Sequence, residues 1–390
     1  MRKLTASLIA CLLVLGGCAP SFDRENEVVQ ETDDSQEKAV IPSVQISDQY
    51  YRTITPFRPS ASRGLIAANL NTQYDIEEFE RGLMRIAQES FSPERFLFQE
   101  GQYLDRDTIR SWLARKKTEK QLAEEKMTED QNLGLNPVLQ GDPTNDEVQE
   151  DSPLYLAHIL EHNYLVQKED SLELGGLVIG LALNTTHYYQ KEQFGATYEV
   201  NLADRDKQVE EQGKKMAQQI LNRIRAREDL QEVPVTIALF KQRPKHSVTP
   251  GNFVSFTEVE KGSNNIGSWK KWNEKYMLFP SDAAQRDHRD DYMRFLNFKQ
   301  DIDEYYPNYN GVVGRGLYQG EQLNRLTIDI PIQFYGQAET IGFTQYVTGL
   351  VTEHFPEYLH VEVNISSVSG AESLVVKEAN AQEPYVHIYR

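Results

Sequence analysis

Leu174-Gly175-Gly176-Leu177-Val178-Ile179-Gly180-Leu181-Ala182-Leu183 is the longest apolar run beyond the first eighteen residues. A helix needs about 20 apolar residues to cross a bilayer, so this glycine-interrupted run predicts a buried strand. A long helix is predicted after it, over Asp204–Arg227, where Val209, Met216, Ile220 and Ile224 recur at helical steps. Strands follow at Val233–Lys241 and Phe253–Val259. The same order returns later. Arg325–Ile332 reads as a strand and Thr340–His354 as a helix carrying Phe343, Val347, Leu350 and Val351. Leu359–Ile365 and Tyr385–Tyr389 then read as strands. Each copy spells β-α-β-β. One copy could bury only one sheet face, so two copies packed together satisfy both.

The expected fold class is α+β, an N-terminal helical segment followed by two β-α-β-β repeats. The expected units are a leader (1–17), a disordered acidic tether (18–47), a mainly helical segment (48–170), repeat 1 (171–260), a connecting segment (261–320) and repeat 2 (321–390). In the helical segment, Asp75 and Glu78 form a capping-box-like pair ahead of Ile76, Phe79, Leu83 and Ile86. A second helix is predicted over Asp105–Lys126, with Ile109, Trp112 and Leu113 on its apolar side. Ser152-Pro153 reads as N-cap and first turn of a third helix, Pro153–Val166. The connecting segment holds a helix-like run, Ala283–Ile302, and Gly311-Val312-Val313-Gly314-Arg315-Gly316. The latter lacks the G-x-G-x-x-G order of a phosphate-binding turn and reads as a loop.

The first eighteen residues have the layout of an export signal. Arg2 and Lys3 precede the apolar run Leu8–Leu15, and Gly16-Gly17-Cys18 follows. Leu15-Gly16-Gly17-Cys18 matches a bacterial lipobox, with cleavage between Gly17 and Cys18 and lipid attachment at Cys18. Only a thiol can carry the diacylglyceryl thioether there. Two acyl chains make a stable anchor where one holds only reversibly. The alternative is an ordinary signal peptide with a chance cysteine.

Charge and cysteine usage agree with that leader. The chain has 390 residues, with 41 basic and 59 acidic side chains. Loss of Arg2 and Lys3 leaves 39 against 59, a net charge of −20. So acidic a body disfavours nucleic acid and direct adsorption to anionic lipid. Cys11 leaves with the leader and Cys18 is lipid-blocked, so the body has no disulfide, thiolate metal site or cysteine nucleophile.

The sharpest chemical pattern is His158-Ile159-Leu160-Glu161-His162, which matches the H-x-x-E-H zinc-peptidase signature. On the predicted third helix, His158 and His162 would share a face and a metal, and Glu161 would act as catalytic base on metal-bound water. The competing reading is that the three groups satisfy one another and nearby backbone. A third ligand such as Glu210 or Glu211 is uninformative in so acidic a chain. The expectation carried forward is no cofactor, with the zinc hydrolase as alternative. Tyr50-Tyr51 and Tyr305-Tyr306-Tyr309 could stack a ligand, but such tyrosines more often cap a core.

Several runs together resemble one family. They are Tyr50-Tyr51-Arg52 to Pro56, Pro59-Ser60-Ala61-Ser62-Arg63-Gly64-Leu65-Ile66, Phe79-Glu80-Arg81-Gly82-Leu83-Met84-Arg85-Ile86 and Phe98-Gln99-Glu100-Gly101-Gln102-Tyr103-Leu104. Gly134-Leu135-Asn136-Pro137, Tyr155–Glu161 and Leu174–Asn184 belong with them. Their order is similar to that of the CamS family of sex-pheromone precursor lipoproteins of Gram-positive bacteria. The resemblance implies a lipoprotein on the extracytoplasmic face of the cell membrane. It also implies that a signal fragment, about Cys11–Gly17, is released as a peptide pheromone. It assigns the body no activity. The partners expected are the membrane through its lipid, no nucleic acid, and an unidentified ligand or envelope partner.

Overall fold

The computed structural model describes residues 27–32, 35–47, 49–169, 171–305, 311–334 and 336–389. The leader and Cys18 lie outside them, as do Tyr306 and Tyr309. In chain order the strands of the N-terminal lobe are β1 (Glu27–Thr32), β2 (Ser35–Val40), β3 (Arg52–Thr53), β4 (Leu97–Glu100), β5 (Leu156–Lys168), β6 (Ser171–Asn184), β7 (Thr186–Gln190), β8 (Thr197–Asn201), β9 (Val235–Gln242), β10 (Asn252–Val259) and β11 (Lys270–Lys271). The C-terminal lobe holds β12 (Glu274–Phe279), β13 (Val313–Gln319), β14 (Gln322–Pro331), β15 (His360–Ser367), β16 (Gly370–Lys377) and β17 (Tyr385–Ile388). The helices are α1 (Leu65–Asn69), α2 (Gln73–Ala87), α3 (Arg106–Leu113), α4 (Glu119–Glu125), α5 (Asp146–Asp151), α6 (Asp206–Arg225), α7 (Asp282–Asp287), α8 (Arg289–Tyr305) and α9 (Gln337–His354). The protein is α+β. Among the described residues, no helix is long and apolar enough to cross a membrane.

The apolar run 174–183 lies in β6, inside a sheet ordered β11-β10-β9-β6-β5-β4-β3. Leu177, Ile179, Leu181 and Leu183 pack on one face with Val209, Met216, Ile220 and Ile224 of α6. Val178 and Ala182 pack on the other with Phe79 and Leu83 of α2. Burial on both faces is why the run is continuously apolar instead of alternating. Two glycines let the overlying aromatics approach. A Cβ on Gly176 would lie 2.1 Å from Phe91, and one on Gly180 would lie 2.9 Å from Phe79.

β6 and β9 pair in parallel, which requires a crossover, and α6 supplies it. β5/β6 and β9/β10 are antiparallel. The C-terminal sheet, ordered β12-β13-β14-β15-β16-β17, has the same directions around its own crossover helix α9. There β14/β15 is parallel, while β13/β14 and β15/β16 are antiparallel. Ile328, Val361 and Val363 of that sheet bury against Phe343 and Val347 of α9 and Phe298 of α8.

Several expectations are corrected. Pro153–Val166 is not a helix: residues from Leu156 onward form β5, central in the sheet and buried on both faces, so its apolar pattern carries no strand alternation to distinguish it. The segment 48–170 is therefore mixed, with β3, β4 and β5 among its helices. The helix over Asp105–Lys126 is broken between α3 and α4, because Ala114 is extended and Thr118 with Gln121 starts a new capping box. α2 is capped by Thr72, whose side chain accepts from the Asp75 N–H at 3.0 Å. Glu78 instead faces the other lobe. In the tether, residues 27–32 and 35–40 form a hairpin, and Ala39 and Ile41 are buried. The expected loop 311–316 runs into β13, where Gly314 and Gly316 lie against Phe295 and Leu323. β16 lies between the last two expected strands and pairs with both β15 and β17.

The lobes meet through a buried charge network. Arg85 of α2 donates to both oxygens of Glu274 on β12, at 3.1 and 2.7 Å, and also pairs with Glu78. The Tyr276 hydroxyl donates to the other Glu78 oxygen at 2.5 Å. Burial pushes the Glu78 carboxyl above its ordinary range, opposed by the adjacent Arg85.

Candidate functional site

Strand geometry separates the three residues of the H-x-x-E-H pattern. Four strand residues span about 13 Å, against about 6 Å for one helical turn, so His158 and His162 stand too far apart to share a metal. Alternation places Glu161 on the opposite face from both. Its carboxylate accepts from the backbone N–H groups of Gln102, Tyr103 and Leu104 at 3.0, 3.1 and 2.6 Å. Burial raises its pKa, and those N–H groups pull it back down. Glu161 thus clamps the loop that leaves β4. Among the described residues, no three His, Cys, Asp or Glu side chains are placed to hold a metal. The zinc alternative is overturned because its geometry required a helix.

The two histidines instead line a cavity of about 340 Å³. It lies where β4 and β5 pair, under α2 and behind the segment leading into α1. Register sets Glu100 of β4 opposite His162 of β5, so the two side chains are neighbours on one face. Glu80 and Met84, one turn apart on α2, face the same space. Phe98 and Leu160 supply more apolar wall. Ser60 closes the entrance: its N–H donates to Glu100 at 2.5 Å, and its hydroxyl lies 3.0 Å from that of Ser62. Arg63 is exposed at the rim, its guanidinium 5.5 Å from the Phe57 ring centroid.

Both imidazoles are held neutral. Burial pushes the His158 pKa down to about 4 and that of His162 down to about 3. His158 Nδ1 accepts from the Asn69 side-chain amide at 3.1 Å. His162 is 2% exposed and its ring meets Phe98 edge-on at 4.9 Å, but its Nδ1 has no hydrogen-bond partner. A buried polar atom without a partner costs about 1–3 kcal/mol, so His162 is held in place at the expense of stability.

Sequence reasoning singled out His158 and His162 for the wrong chemistry, and missed Ser60, Arg63, Glu80 and Glu100. None of these sits in a chemical motif. They come from separate stretches, and only the β4/β5 pairing and the docking of α2 bring them together. One signal did exist: nearly the whole lining lies in the runs that resemble the CamS family. Tyr51 is buried, its hydroxyl donating to the Phe91 carbonyl at 2.5 Å, as core-capping predicts. Tyr50 is exposed.

A family model described as the CamS sex pheromone cAM373 precursor matches residues 57–383. The chain is similar to the C-terminal domain of the sex pheromone staph-cAM373 precursor from Staphylococcus aureus. That match has 35% identity and a TM-score of 0.72, covering 83% of this chain and 98% of that one. It is also similar to a sex pheromone precursor from Lactobacillus salivarius subsp. salivarius UCC118, with 32% identity and a TM-score of 0.80, covering 90% and 99%. No curated protein matches it.

Proposed function

The chain belongs to the CamS family of sex pheromone cAM373 precursors, and from that membership we propose a lipid-anchored body that binds a small molecule. The anchor is a diacylglyceryl group on Cys18, exposed by cleavage after Gly17, and it places the body on the outer face of the cytoplasmic membrane. The fragment Cys11–Gly17 is the part of the leader that would act as a peptide pheromone. The body carries two units of β-α-β-β order, built by duplication, whose agreement in strand order and direction supports that reading.

The observation that carries the binding function is the cavity under α2, lined by Glu80, Glu100, His158 and His162 beside Met84, Phe98 and Leu160. Its volume falls in the range of about 300–1,000 Å³ typical of small-molecule sites, and charged and polar groups face apolar walls of Met84, Phe98 and Leu160 across it. One experiment covers anchor and pocket. The wild-type protein is expected in the membrane fraction and Cys18→Ala in the soluble fraction. An NMR fragment screen of the soluble protein is expected to shift the amides of Ser60–Gly64 and Leu160–His162. Met84→Trp, which fills the cavity, removes those shifts. A Cys18→Ala protein that stays with the membrane defeats the anchor, and a screen silent at those amides defeats the pocket.

A further inference from the structure

The chemistry of this cavity narrows its ligand, given that it is a ligand site at all. Two charged groups are unmatched among the described residues. Glu80, half-buried on α2, has no hydrogen bond or ion pair among the described residues, although Glu100 stands near enough to act on its charge. Burial and Glu100 raise the Glu80 carboxyl, and Arg63 lowers it. Arg63 and Glu80 therefore feel each other across the cavity without touching. The guanidinium rests over the Phe57 ring and makes no ion pair among the described residues. His162 lines the same cavity with a neutral imidazole.

We propose that the cavity binds the zwitterion of a single apolar α-amino acid. The ammonium sits between Glu80 and Glu100, the carboxylate faces Arg63, and the side chain lies on Met84, Phe98 and Leu160. An ammonium is positive and carries donors only, which matches two carboxylates. A carboxylate matches the guanidinium in charge and in planar geometry. Each half-ligand fits worse. An amine without a carboxylate leaves Arg63 unmatched. A carboxylate without an amine enters a cavity already holding Glu80 and Glu100. A neutral apolar molecule leaves Glu80 and Arg63 both unmatched. A volume of about 340 Å³ has room for one residue with a branched or aromatic side chain.

Calorimetric titration of the mature protein with L-leucine, L-methionine and L-phenylalanine tests this, with isopentylamine and 4-methylpentanoate as leucine lacking its carboxylate or its ammonium. At least one of the three amino acids is expected to bind saturably, and either truncated analogue at least tenfold more weakly. Glu80→Gln and Arg63→Ala are each expected to weaken that binding tenfold or more. Both sites are half-buried or exposed, so the variants should fold; their melting temperatures check this, and Glu80→Asp should restore part of the affinity. Equal or tighter binding of an analogue overturns the amino-acid assignment and leaves the ligand site standing. So does a fragment that occupies the cavity when no amino acid does. Amino-acid binding indifferent to both substitutions overturns it as well. Silence of every compound and of the fragment screen overturns the ligand site itself.

Discussion

Arg85→Ala is expected to lose about 3–5 kcal/mol of unfolding free energy, the usual cost of stripping one partner from a buried ion pair. Glu78 and Glu274 are 5% and 7% exposed, and both direct oxygens at this one guanidinium. Without it, two carboxylates share a buried seam and one must take up a proton. The loss belongs to the charges more than to the arginine stem. A combined Glu78→Gln, Arg85→Met, Glu274→Gln protein should therefore recover most of it, since apolar or neutral replacement of a whole buried network is often close to neutral. Denaturant titration of the four proteins measures both effects. A loss below about 1 kcal/mol in the single variant would show that this network does not hold the lobes together.

Glu161→Ala is expected to cost at least about 3 kcal/mol. It orphans the N–H groups of Tyr103 and Leu104, each worth about 1–3 kcal/mol when buried without a partner, and leaves Gln102 N–H only the Asn163 side-chain oxygen. Glu161→Gln keeps one acceptor oxygen and should fall between wild type and alanine. Hydrogen exchange localises the effect, because the amides of residues 102–104 should lose protection in the alanine variant before the rest of β4 and β5 does. Unchanged protection there would mean that the carboxylate does not hold the loop. A catalytic base would behave otherwise, since its loss would cost activity and little stability.

The two crossover units were largely legible. β6, α6, β9 and β10 are long and strongly patterned, and α9 follows β14 as its apolar spacing predicts. β5 was not. Its residues satisfy a helical spacing as well as they satisfy a strand, because a strand buried on both faces shows no alternation. That one reassignment moved Glu161 to the far face, separated the histidines and removed a metal site. The break between α3 and α4 is signalled by Thr118 and Gln121, whose capping box starts α4. The hairpin at 27–40 had no such signal, since its acidic residues describe a solvated segment whether or not it pairs.

The amino-acid sequence by itself determined the α+β character, the crossover helices, the acidic charge and a body without cysteine. These depend on composition and on periodicities within single elements, where each residue's effect is local. Only the tertiary structure decided the cavity. Glu100 meets His162 because β4 and β5 pair in one register, and a slip of one residue would turn one of them to the other face. Glu80 reaches them because α2 docks through Phe79 and Leu83 on that same side of the sheet. Such meetings join residues far apart in the chain, and no local pattern encodes which of them will be neighbours.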